Sequence, residues 1–377
     1  MKYCKRCVLP ESHESIQFDE DGICNICHQA EIKHHSIDWD ARRAMLDAIC
    51  NRYRNRGQYD CIIPFSGGKD STFQLWYVVT QLKMKPLVVR FNHWGYRPLV
   101  HENNLRTFKK LGVDVVEFTP NWKVVKLLML ESLKRTGDFC WHCHTGVFAH
   151  TMQLAVLYKI PLVIWGESSS EYRAYHTAEE LEEMDEKAFD QMINLGITAD
   201  KMYEMLGGQV ERRDLMAFQF PSKAELAEIN AKSIYLGNYI KWDTKRQVVI
   251  IKKELGWQGQ EVEGIPPKYD YEKIECRWQG IRDYCKYIKR GHGRTNHLAC
   301  IDIRNGVMDH EEGMRLCEIY DGKRPASLDQ FLSVLGITED EFESIVLSNA
   351  VIDWGFDHDK LQQGAALPDM PMWDTIL

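Results

Sequence analysis

Short apolar, β-rich runs alternate with helix-patterned stretches through the middle of this chain. That alternation limits its fold more than any other feature. Runs at 59–65 (YDCIIPF), 86–92 (PLVVRFN), 113–118 (VDVVEF), 161–166 (PLVIWG) and 233–239 (SIYLGNY) read as strands. Helical stretches near 71–84, 101–111, 122–135 and 145–158 separate the first four, and another, DTKRQVVIIKKEL, follows the fifth. Apolar strands joined through helices predict an α/β fold with a parallel sheet covered on both faces. A further helix is expected over 38–56, and the polar, cysteine-rich stretch before it has no helical or strand period. An insertion at about 176–230 opens with TAEELEEMDEKAFDQMINLG, which reads as acidic helices. After Gly256 the composition changes, and helical segments follow to the end. Three parts are predicted: residues 1–35, 36–256 carrying the insertion, and a mainly helical 257–377.

Directly after the first strand stands Ser66-Gly67-Gly68-Lys69-Asp70-Ser71. A strand, a glycine turn and a helix make an anion site, because glycine lets backbone N–H groups approach a phosphate at a helix N-terminus. Neither G-x-x-x-x-G-K-[ST] nor G-x-G-x-x-G is present, so neither a Walker loop nor a dinucleotide loop is supported. The stretch resembles the SGGxDS signature of the PP-loop ATP pyrophosphatase superfamily, whose fold is of the adenine-nucleotide alpha-hydrolase (HUP) type. That resemblance implies a loop holding the β- and γ-phosphates of ATP, AMP transfer to a substrate oxygen, and release of pyrophosphate. Ser66, Gly67, Gly68, Lys69, Asp70 and Ser71 would bind ATP. Lys69 would supply the compact charge, and Asp70 would orient the loop or help hold Mg²⁺. Ligands of open α/β sheets sit at the carboxyl ends of the strands. Arg90, Asn92 and His93 are therefore expected near the adenosine, and Gly166, Glu167 and Ser168 near the α-phosphate and substrate.

Cys4-x-x-Cys7 and Cys24-x-x-Cys27 lie sixteen residues apart. Two such knuckles predict a tetrahedral Zn²⁺ site, structural because four thiolates leave no open position. Cys140-Trp-His-Cys143-His144 is ambiguous between a second metal site, plain thiols and an active-site pair. In sulfur-inserting PP-loop enzymes a CxxC in this region serves sulfur transfer or an iron–sulfur cluster. An alternative reading is therefore a tRNA sulfurtransferase using Cys140 and Cys143. The remaining cysteines are isolated and expected to be buried small residues.

A net charge of -8 gives no basic footprint for nucleic acid, and no apolar run approaches a membrane span. The N-terminus lacks a signal-peptide core, so a cytoplasmic protein is expected. If the nucleophile is ammonia, no glutaminase is visible in this chain. Lys2 stands where an N-terminal-nucleophile cysteine would, and no cysteine lies on a G-x-C-x-G elbow.

Near the C-terminus KYIKRGHGRTNHLACIDIRNG (286–306) sets Lys286, Lys289, Arg290, Arg294 and Arg304 among glycines, which suits phosphate or carboxylate. The order of four-cysteine element, SGGKDS, CxxCH and this basic stretch resembles the bacterial N-acetyl sugar amidotransferase family of surface-polysaccharide biosynthesis (WbpG- and PseA-type enzymes). The resemblance implies an AMP-forming ligase acting on a nucleotide-linked, expectedly UDP-linked, N-acetyl sugar for lipopolysaccharide O-antigen or another surface glycan. The acetamido oxygen would be adenylated and replaced by ammonia, leaving an acetamidino group. Ammonia would come from a separate histidine-biosynthesis-like glutaminase through a cyclase-like barrel subunit. Arg294, Arg304 and Lys289 would contact the sugar nucleotide. Glu167 is the expected base toward ammonium, beside Lys69 and Asp70.

Overall fold

The computed structural model describes residues 1–168, 177–358 and 361–365. Two compact units are present. One joins Met1–His28, Ser132–Phe139 and Gly259–Leu377; the other comprises Gln29–Glu131 and Cys140–Gln258.

The second unit carries the sheet. Its elements begin with α1 (Asn25–His35, which enters from the first unit), α2 (Trp39–Tyr53), β1 (Cys61–Pro64), α3 (Lys69–Thr80) and β2 (Pro86–Phe91). Then come α4 (Pro98–Leu111), β3 (Asp114–Phe118), α5 (Trp122–Thr136), α6 (Trp141–Tyr158) and β4 (Leu162–Trp165). The five expected strands all form, each shorter than its apolar run. They pair in parallel in the order β3-β2-β1-β4-β5, with β5 at Lys232–Tyr235. Ile62 registers with Leu87 on one side and Val163 on the other, so β1 is central. One face of the sheet presents Ile62, Leu87, Val89, Val163 and Trp165 to Ala149, Met152 and Ala155 of α6. Each large apolar side chain buried there contributes about 1.5–3 kcal/mol.

The insertion departs from the sequence reading. The acidic stretch forms α7 (Glu186–Ala188), only three residues long, and one π-turn, Phe189–Ile193. Leu181, Met184, Ala188 and Met192 keep a helical spacing, but Glu182 and Met184 are buried with Glu183 exposed between them, the alternation of an extended segment. The rest forms α8 (Ala199–Met205), a 3₁₀ turn at Arg212–Phe218 and α9 (Lys223–Glu228). After β5, α10 (Thr244–Leu255) closes with Gly256 in the left-handed conformation.

The first unit contains α11 (Gln279–Arg290), α12 (Arg294–Arg304), α13 (His310–Tyr320), α14 (Leu328–Leu335) and α15 (Glu339–Ser348). Phe331 forms its aromatic centre, with Phe139 at 4.5 Å and Trp278 at 5.5 Å between ring centroids. Among the described residues no helix is long and apolar enough to cross a membrane.

Candidate functional site

Strand order reverses direction between β1 and β4, which is where an open α/β sheet binds its ligand. The chain leaves β1 at Pro64 and turns through Ser66–Gly68 into α3, whose N-cap is Gly68. Glycine has no side chain of its own to offer the first amides of α3. Gly67 has φ +91, a backbone that glycine adopts readily. Ser71 holds the turn: Ser66 N–H and Gly67 N–H donate to its Oγ at 3.3 and 3.1 Å. Gly68 N–H donates to Ser66 Oγ at 3.3 Å, and Trp257 Nε1–H to the Gly67 carbonyl at 3.2 Å.

Lys69 is almost fully buried, and its ammonium donates to Asp70 Oδ2 at 2.7 Å. Asp70 Oδ1 is buried and has no hydrogen-bond partner among the described residues. A carboxylate oxygen left in this state fits a bound cation or a donor on a ligand.

Gly166 lies beside this loop. Gln74 of α3 donates to the Ile164 carbonyl, and a Cβ on Gly166 would stand 3.1 Å from Gln74 Oε1. Gly166 follows β4 and the Ser66–Ser71 turn follows β1, so both stand at the carboxyl ends of neighbouring parallel strands. Ser168 is buried and its hydroxyl donates to Glu182 Oε2 at 3.1 Å. Glu167 has an unanticipated neighbour. Lys33 of α1 is a buried ammonium, lowered to about 8 by burial and raised in part by Glu167. Nothing in the polar stretch containing Lys33 signals this role.

Asn92 follows β2, and its carboxamide is engaged: Nδ2–H donates to Thr119 Oγ1 at 3.2 Å and Oδ1 accepts from Trp94 N–H at 2.9 Å. Arg90 pairs with Glu117 and lies over the Tyr96 ring. His93 is held neutral, its pKa lowered to about 3 by burial and by the charges of His142 and Arg90. Its Nδ1 accepts from Gly95 N–H at 3.1 Å. Cys140 is the buried N-cap of α6, and Cys143 is half-buried one turn on.

The other unit holds the four-cysteine group. Cys4, Cys7, Cys24 and Cys27 are buried, with their Sγ atoms all within 4.8 Å of one another. This is the one such group of candidate ligands among the described residues; Cys140 and Cys143 are not joined by a third. Hydrogen bonds from Cys24, Cys27 and Cys7 drive the Cys4 thiol down, while those same contacts and burial push Cys27 up. Without a cation the cluster favours ionising one sulfur over the others. A divalent cation would let all four ionise, so the donor set fits one.

The basic stretch lies in this same unit, and most of its cations meet internal acceptors. Arg294, first in α12, pairs with Asp283 at 3.3 Å and Glu272 at 3.7 Å. Burial works against its charge, and the two carboxylates outweigh it. Lys289 donates to the Thr136 carbonyl at 2.8 Å, and burial lowers its pKa. Arg304 ends α12 with its Nη1 buried and unpartnered. Arg294 also lines a small cleft with Asp283, Tyr284, Tyr320, Asp321 and Lys323.

Residues 263–367 match the family model described as LPS biosynthesis protein WbpG-like, C-terminal domain. A curated relative, an uncharacterized protein of Methanocaldococcus jannaschii, is 24% identical over 164 residues, 43% of this chain. The chain spans 58% of that relative's length. Among solved structures, the U34-tRNA thiolase NcsA of Methanococcus maripaludis, with its 4Fe-4S cluster, aligns over 84% of this chain and 89% of its own, at 13% identity and TM-score 0.34. NMN synthetase of Francisella tularensis aligns over 51% of this chain and 90% of its own, at 14% identity and TM-score 0.30.

Proposed function

From the premise that its C-terminal region, residues 263–367, belongs to the WbpG-like family of lipopolysaccharide biosynthesis, we propose that this chain is an ATP-dependent, AMP-forming N-acetyl sugar amidotransferase. The observation that carries the reading is the SGGKDS turn at the switch point, with glycine as the N-cap of α3 and, among the described residues, no partner for an Asp70 oxygen beside Lys69.

The chemistry follows from the weakness of an amide carbonyl as an electrophile. The acetamido oxygen attacks the α-phosphorus of ATP, and pyrophosphate leaves. The resulting O-adenylyl imidate accepts ammonia at carbon, and AMP departs with the original oxygen. An acetamidino group remains. Lys69 and the N-terminus of α3 stabilise the pyrophosphate. Mg²⁺, with Asp70 as a candidate ligand, would neutralise phosphate charge. Glu167, the charged neighbour of Lys33, takes a proton from ammonium. Water must be excluded at the imidate stage, or the amide returns. The substrate class is a nucleotide-linked, UDP-linked, acidic acetamido sugar for a surface glycan, with Arg294, Arg304 and Lys289 as candidate contacts. A separate glutaminase and a cyclase-like barrel would deliver ammonia. The four-cysteine group is read as structural zinc.

The test is an assay with ATP, Mg²⁺, ammonium and a UDP-diacetamido-uronate, following AMP and pyrophosphate and weighing the sugar. Substrate-dependent AMP with one sugar oxygen replaced by NH is the expected result. ADP and orthophosphate would overturn the loop assignment. Sulfur incorporation into tRNA, lost on replacing Cys140 or Cys143, would establish the sulfurtransferase alternative instead.

A further inference from the structure

The face of α4 turned inward is polar where an apolar stripe is expected. Val100, Asn103, Asn104 and Thr107 are all essentially fully buried. Asn103 is accounted for: its Nδ2–H donates to the Gln258 carbonyl at 2.8 Å, and its Oδ1 accepts from Gln258 N–H at 2.9 Å. Asn104 is not. It is 1% exposed, and neither Oδ1 nor Nδ2 has a hydrogen-bond partner among the described residues. Its carboxamide is pressed against the phosphate loop. A Cβ at Gly67 would stand 2.2 Å from Asn104 Oδ1 and 2.9 Å from Nδ2.

A buried primary amide with no partner is costly, and a leucine would fill the same space without that cost. Two further shortfalls lie in the same turn: the unpartnered Asp70 Oδ1 and the α3 N-terminus without a side-chain cap. These donors and acceptors suit one kind of ligand, a diphosphate with its hydrated cation. Its oxygens accept N–H groups, and its metal-bound waters donate.

We infer that Asn104 is a binding residue of the phosphate loop, its carboxamide taking its hydrogen bonds from the pyrophosphate end of a nucleoside triphosphate. Nδ2–H donates to a phosphate oxygen. Oδ1 accepts from a loop amide that the ligand draws away from Ser71 or Ser66. The inference rests on the PP-loop reading proposed above and extends it to a residue outside the SGGKDS signature. It also accounts for glycine at position 67, since any side chain there would displace the carboxamide.

The experiment is calorimetric titration of the full chain and of Asn104→Leu and Asn104→Asp with Mg·ATP, Mg·pyrophosphate and AMP, folding being checked by near-UV circular dichroism. Leu removes both polar atoms and keeps the volume. Asp keeps the shape and the acceptor but loses the donor. ATP and pyrophosphate are expected to bind at least about tenfold more weakly to both variants, with AMP unchanged. ATP affinity within about twofold of the parent in folded variants would overturn the inference and leave Asn104 a contact of internal water. Equal loss of AMP and ATP would also overturn it, showing damage to the fold. A parent chain that binds AMP but neither ATP nor pyrophosphate would instead remove the PP-loop reading on which it rests.

Discussion

Replacing Gly67 with alanine tests the loop where it is least tolerant. The residue has φ +91, which costs a side-chain-bearing residue about 1–3 kcal/mol. The new methyl would also meet Asn104 Oδ1 at 2.2 Å and Val100 Cγ1 at 2.7 Å. Overpacking of this kind adds about 1–3 kcal/mol. If the loop keeps its shape, Gly67→Ala lowers unfolding free energy by about 2–6 kcal/mol. If the loop yields, the loss moves from stability to ATP affinity. Urea unfolding and ATP titration on the same sample therefore measure one total between them. Asn104→Ala in the Gly67→Ala background removes the closest contact but neither the φ term nor Val100. It should recover part of the lost stability, a positive coupling in a double-mutant cycle. A Gly67→Ala chain that matches the parent in both assays would refute the reasoning. So would strict additivity of the two substitutions.

Other outcomes follow from the remaining features. Arg294→Ala leaves Asp283 and Glu272 facing each other without their cation, and should cost about 3–5 kcal/mol in urea unfolding; an unchanged midpoint would show that the pair is not stabilising. His93 is neutral in the fold to about pH 3 but takes a proton near 6.5 when unfolded. The unfolded chain therefore binds more protons in that window, and stability falls as pH drops from 6.5 toward 3, by up to about 5 kcal/mol from this residue. His93→Gln should flatten the slope of stability against pH between those limits, and an unaltered slope would count against it. Cys24→Ser should lower the metal content per chain measured by mass spectrometry and reduce thermal stability; metal content equal to the parent's would exclude the four-sulfur site.

The sheet was legible because its strands are short apolar runs with helices between them, and all five formed where those runs stand. The glycine turn after β1 was legible because Gly67 and Gly68 stand directly between an apolar run and a helix-patterned one. The strands' order in space was not, since strand neighbours depend on crossovers that carry no local pattern. Helix α1 was missed because Asn25–His35 has only two buried residues and almost no amphipathic signal. The acidic insertion misled because its residues favour a helix and its apolar residues keep a helical spacing, yet Glu182 and Met184 turn inward in an extended segment and only a three-residue helix forms after it. Asn104 was invisible because Asn103, Asn104 and Thr107 together read as an exposed polar face until the burial is known. Arg294 was picked out by its charge, but Asp283 and Glu272 beside it could be found only by folding.

The joining of the first and last parts of the chain in one unit sets an order of events during synthesis. The cysteine knuckles leave the ribosome early. Their neighbours arrive late: Asn296 donates to the Val8 carbonyl across 288 residues, and Arg290 to that of Ser12 across 278. At roughly 5–20 residues per second, about 15–60 s pass between the two. For that interval four thiols stand without the helices that later cover them. A metal ion captured by the nascent segment would keep the sulfurs in register and reduced until α12 is made. Yield of folded chain should then depend on divalent metal supplied during translation, and metal added after release should restore it poorly.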